Sequence, residues 1–222
     1  MYEAVVMLHA LAGTVALASF WTAGLARKGS PLHRRAGRIY LQAMRLILLT
    51  ALPIVGALLM RERLGFALFF AYLVVIVSES VWTSLRALQL KRDPARYFGT
   101  PYRAAAVVLL ASGAGMLVYG LSAGNLIFAG FAFVGLGRGG AMLALSRRPP
   151  APRWSLSEHL GAMIGNGVAT HIAFLLIGLG RLLPETWAAP VQTFGWLAPL
   201  GVALVAGVHL TRKYVRPPAL GA

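Results

Sequence analysis

Residues 46–78 read LILLTALPIVGALLMRERLGFALFFAYLVVIVS, two long apolar runs separated by Arg61-Glu62-Arg63. A helix rises about 1.5 Å per residue and a bilayer's hydrocarbon core is about 30 Å thick, so about 20 apolar residues make one crossing. Followed outward, the two runs fill 39–60 and 65–87. Each is one crossing, and the charged triplet is a turn at a water face. The same reading along the chain gives seven spans, at 4–26, 39–60, 65–87, 103–121, 126–145, 159–180 and 191–211. The breaks carry turn chemistry: Gly29-Ser30-Pro31, Asp93-Pro94, Gly99-Thr100-Pro101, Ser122-Ala123-Gly124-Asn125, the Pro149, Pro150 and Pro152 linker, and Pro184 with Pro190. The predicted fold is all-α, a polytopic transmembrane bundle of seven helices forming a single domain over 1–222.

Composition agrees. Of 222 residues, 58% are hydrophobic and only 12% charged, against about 25% charged in an average soluble domain. Zero cysteines exclude a disulfide scaffold, thiolate metal sites and Cys nucleophiles. The net charge of +15 would suggest nucleic acid in a soluble protein. Here apolar runs separate the cations, so no nucleic-acid face forms and the charge reads as topology.

Assigned alternately to two sides, one side receives seventeen of the 21 basic residues. These are Arg27, Lys28, Arg34, Arg35, Arg38, Arg86, Lys91, Arg92, Arg96, Arg103, Arg138, Arg147, Arg148, Arg153, Arg212, Lys213 and Arg216. The other side holds Arg61, Arg63 and Arg181 beside Glu3, Glu62 and Glu185. By the positive-inside rule the N-terminus is outside and the C-terminus cytoplasmic, in a multi-pass protein expected in the cell inner membrane. The first span follows an acidic start, Met1-Tyr2-Glu3, and precedes its positive cluster, which fits a retained helix rather than a signal peptide.

Intramembrane ionisable groups are costly and therefore functional candidates. Arg45 and Glu79 lie on consecutive spans at depths within about 3 Å by the helical rise. They are expected to form an ion pair, either fixing helix register or serving a proton path or anion site. Five histidines add a possible cofactor site, since neutral imidazole binds haem iron or zinc. His159 and His209 match in depth within about 3 Å; they are the first choice for haem b, with zinc the alternative and His33 approaching from the first loop. His9 and His171 are the second choice. Asp93, the chain's one Asp, is expected to cap a turn.

Small residues at four-residue spacing are expected to mark close helix packing or a homodimer seam: Gly161, Gly165 and Ala169; Gly135 and Gly139; Ala111 and Gly115. Gly135-Leu136-Gly137-Arg138-Gly139-Gly140 lacks a preceding strand and reads as helix packing rather than a phosphate loop.

Three motifs carry a resemblance. They are His9-x-x-x-Gly13; His33-Arg34-x-x-Gly37-Arg38-x-Tyr40; and Trp154-x-x-x-x-His159-x-x-x-Met163-Ile164 followed by Ala169-Thr170-His171-Ile172-Ala173-Phe174. Together the chain resembles a bacterial family of predicted multi-pass membrane proteins catalogued as a domain of unknown function. The resemblance implies a small polytopic bundle without an assigned activity. The family pattern carries a hydroxyl or apolar residue where this chain has His171.

The His33–Arg38 segment also favours anions, through helix-terminal N–H groups and arginines. Anionic lipid headgroups are the plain partner, and Arg34 and Arg38 meeting the carboxylates of a haem the sharper one. Three functions follow as expectations. The first is a b-type-haem or quinone-linked redox protein. The second is a non-redox transporter, lipid-binding protein or accessory subunit using Arg45 and Glu79. The third is a zinc-dependent membrane enzyme with His33, His159 and His209 as ligands and Glu158 or Glu79 as base. A homodimer or a partner membrane subunit is compatible with each.

Overall fold

The computed structural model describes residues 2–178, 184 and 187–215. Among these every regular element is helical: α1 (Tyr2–Leu25), α2 (Pro31–Met60), α3 (Leu64–Gln89), a short α4 (Pro94–Tyr97), α5 (Thr100–Ser122), α6 (Leu126–Leu145), α7 (Trp154–Ala173) and α8 (Ala188–Leu210). A π-helical turn continues α7 over Phe174–Gly178, and another continues α8 over Thr211–Val215. Among the described residues seven helices are long and apolar enough to cross a membrane, α4 and α5 counting together as one.

The helix ends follow local chemistry. Asp93 accepts the Arg96 N–H at 3.0 Å ahead of α4, as expected of a capping Asp. Asn125 accepts from the N–H groups of Ile127 and Phe128 and opens α6. The start of α2 corrects the sequence reading, which left 31–38 in a loop. Ser30 Oγ accepts the His33 N–H at 3.2 Å and Pro31 takes the first helical position. His33, Arg34 and Arg38 therefore stand on the first turns of a helix.

The chain forms two compact units, residues 1–50 with 160–222, and residues 51–159. In the first, α1 buries a stripe of small residues, Ala12, Ala16, Ser19 and Ala23, while Met7, Leu8, Leu11, Val15 and Leu25 stay exposed. Exposed aliphatics around a small-residue stripe suit lipid solvent, where packing rather than water exclusion holds helices together. Gly167 of α7 admits Phe20 of α1: a Cβ there would lie 2.4 Å from the ring. The Tyr40 and Thr170 hydroxyls hydrogen-bond at 3.0 Å and join α2 to α7.

In the second unit α5 and α6 pack closest, on glycines. A Cβ on Gly120 would lie 2.5 Å from Ala129 N, and one on Gly139 2.8 Å from the Ala106 carbonyl. Gly135 admits the Tyr72 hydroxyl, which accepts the Gly135 N–H at 2.9 Å. Gly135 and Gly139 thus form the close-packing face expected of them. On α5 the face is Gly113 and Gly120; Ala111 and Gly115 are exposed. On α7 Gly161 and Gly165 are exposed, and Gly167 makes the close approach instead. Four-residue spacing finds small residues on one helix face without telling which face meets a neighbour.

Candidate functional site

The polar centre of the second unit is a guanidinium held between two carboxylates. Glu79 comes from α3, Arg138 from α6 and Glu158 from the first turns of α7. Arg138 donates to Glu79 Oε1 from Nε at 3.2 Å and from Nη2 at 2.9 Å. It donates to Glu158 as a fork, Nη1 to Oε1 at 3.3 Å and Nη2 to Oε2 at 3.0 Å. The phenols of Tyr97 and Tyr102 also donate to Glu158 Oε2, each at 2.9 Å. Both carboxylate side chains are buried, with 6% and 8% of their surface exposed, whereas Arg138 keeps 27%.

Backbone close approach brings these groups together. Gly135 and Gly139, one turn apart, let α6 sit against α3 and α5 on either side of Arg138. Over Glu158 the rings of Tyr97, Phe98, Tyr102 and Trp154 pack at 4.7–5.1 Å between centroids. Counted from the helix ends that share this side, Glu158 lies about 6 Å in, Arg138 about 10 Å and Glu79 about 15 Å. Their backbone positions step from near a helix end toward mid-span, and the side chains converge on one guanidinium.

The partner of Glu79 is therefore Arg138, where the sequence reading had Arg45. Arg45 is exposed and donates from Nη1 to Gln42 Oε1 at 3.2 Å on its own helix. Arg45 is the fifteenth of the 30 residues of α2, and depth counted along a helix does not fix the direction in which its side chain leaves the axis. Arg138, grouped with the loop cations, is inside α6. An Arg within an apolar span, flanked by packing glycines, was the available signal.

The other expected site residues are placed as follows. His171 has both ring nitrogens engaged: Nδ1 with the Gly167 carbonyl at 2.7 Å, and Nε2 accepting the Trp21 indole N–H at 2.9 Å. That pattern requires the neutral ring protonated at Nδ1. His9 Nδ1 meets Thr50 Oγ1 at 2.9 Å, tying α1 to α2. His33 Nδ1 bonds the Ala23 carbonyl at 2.9 Å, and His159 Nδ1 the Ser84 carbonyl at 2.9 Å. His209 is exposed in the last turn of α8. His159 belongs to the second unit, and His33 and His209 to the first. Among the described residues no group of three or more His, Cys, Asp or Glu side chains is arranged to hold a metal ion. Arg34 and Arg38 are exposed on the first turns of α2, and Arg34 Nη1 donates to the Gly29 carbonyl at 2.7 Å.

Comparison with protein families, with curated proteins and with solved structures found no match to this chain.

Proposed function

We propose that this chain is a multi-pass membrane transport protein, N-terminus outside and C-terminus cytoplasmic, that exchanges protons at Glu79, Arg138 and Glu158. One observation carries the reading: two buried carboxylates share a single guanidinium inside the spans. With all three ionised, the cluster has a net charge of minus one in a medium that penalises it. A proton is the simplest ligand that balances it. The accessible part of Arg138 supports exchange, because a guanidinium is not left facing hydrocarbon and must reach water or a solute. The tyrosine hydroxyls above Glu158 extend the polar path toward the helix ends. On the same topology the exposed Arg34, Arg35 and Arg38 meet anionic headgroups of the cytoplasmic leaflet.

The test is a pH jump on proteoliposomes adsorbed to a solid-supported membrane electrode. Wild type is expected to give a transient charge displacement that empty liposomes lack and that Glu79→Gln abolishes. A folded wild-type protein that moves no charge on the jump refutes the reading.

A second reading keeps haem b or zinc at His159. The Nδ1 bond to the Ser84 carbonyl favours it, since such a bond orients metal-ligating imidazoles. A visible spectrum and metal analysis of the purified protein decide it; a colourless, metal-free protein expressed with haem and zinc supplied refutes it.

A further inference from the structure

We propose that the balancing proton resides on Glu79, and that Glu158 is the standing counter-ion of Arg138; this rests on the proton-exchange reading above. The two carboxyls are inequivalent in donors. Glu158 receives four hydrogen bonds, the two-pronged fork of Arg138 and the phenols of Tyr97 and Tyr102. Three of these converge on Oε2. An oxygen taking three donors has no room for a proton of its own, and a carboxylate is acceptor-only when ionised. From Arg138 Glu79 receives two, both on Oε1, and the one other side chain that bonds its carboxyl is Thr83.

The neighbours of Glu79 complete the contrast. From α6 it faces Arg138, and beyond that guanidinium the Glu158 anion of α7. On its own helix Thr83 stands one turn on, fully buried, and donates its hydroxyl proton to the backbone carbonyls of Glu79 and Ser80 at 3.0 and 3.2 Å. The Glu79 backbone is also about 9 Å further from its helix end than that of Glu158, although both carboxyls meet at the one Arg138 Nη2. Like charges sharing one site do not both ionise, and the worse-solvated one keeps the proton. Release breaks the Glu79 O–H bond, passes the proton to water beside Arg138 and leaves two anions on one cation. That state must rebind a cation, which makes Glu79 the exchanging group and Glu158 a positioning residue for Arg138.

The chain makes the test clean, because it has only six acidic residues. Among the described residues Glu79 and Glu158 are the two acidic side chains buried in the spans. Infrared spectra of reconstituted protein, at a pH where exposed carboxyls are ionised, are expected to contain one protonated-carboxyl band. Glu79→Asp should shift it and Glu158→Asp should leave its frequency. Thermal unfolding gives an independent readout. Glu79→Gln reproduces the resting charge state and should melt with the parent; Glu158→Gln strips Arg138 and both phenols of their anion and should melt lower. The reverse pattern, with the band following Glu158 and Glu79→Gln the weaker protein, overturns the assignment while the pH-jump current stands. A protein without any protonated-carboxyl band overturns it too. A band on Glu79 without charge displacement keeps the assignment and sinks the transport reading.

Discussion

Arg138→Met is the perturbation whose cost follows most directly from the structure. It keeps an unbranched apolar side chain between α3, α5 and α7 and deletes all four donor contacts, at 2.9–3.3 Å, to Glu79 and Glu158. If Glu79 already carries a proton, only Glu158 loses a charge partner. Glu158 then enters the folded protein unpaired or protonated. Protonating a carboxyl of ordinary pKa about 4.3 at pH 7 costs about 3.7 kcal/mol, at 1.36 kcal/mol per unit. Breaking a buried ion pair typically costs about 3–5 kcal/mol, so the two routes agree.

The pH dependence has a definite sign. The variant's folded state holds one proton more than the parent's, so its deficit vanishes below the unfolded carboxyl range and grows steadily as pH rises above it. The slope is about 1.4 kcal/mol per pH unit for one extra proton and about 2.7 for two. Reversible unfolding in mixed micelles at several pH values measures it. Arg138→Met combined with Glu158→Gln should recover most of the loss. A stability unaffected by Arg138→Met would refute the buried-pair argument, and a doubled slope would refute a resting proton on Glu79.

Three further outcomes are expected. Gly120→Ala, whose methyl would meet the Ala129 backbone, should cost about 1–3 kcal/mol by forcing α5 from α6, while Gly115→Ala, pointing into open space, should be neutral or stabilising; equal melting temperatures would contradict the packing. Tyr97→Phe and Tyr102→Phe each remove one donor to a charged acceptor and should cost about 1.5–3 kcal/mol, the double variant more, in the same unfolding assay. Reporter fusions after residues 62 and 150 should fall on opposite sides of the membrane, and finding both on one side would refute the seven-span topology.

The sequence by itself determined the class of fold. Apolar runs of bilayer length, punctuated by Gly, Pro, Asn and charged turns, specify membrane helices because length, hydropathy and turn chemistry are local properties. They located α6 to its ends and the others within a few residues, apart from α2, where Ser30-Pro31 starts the helix eight residues early, and α7, which starts at Trp154. The role of Asp93 was equally local. Which ionisable groups meet was decided only by the tertiary structure. Depth along a helix follows from counting residues, but rotation about the axis and the identity of the neighbour do not. Arg45 and Glu79 matched in depth, yet the charge that reaches Glu79 comes from α6, 59 residues on, where two glycines let the backbones close around Arg138. Glu158 joins from α7 and the phenols from α4 and α5, so each partner lies on a different helix, beyond the reach of any sequence spacing.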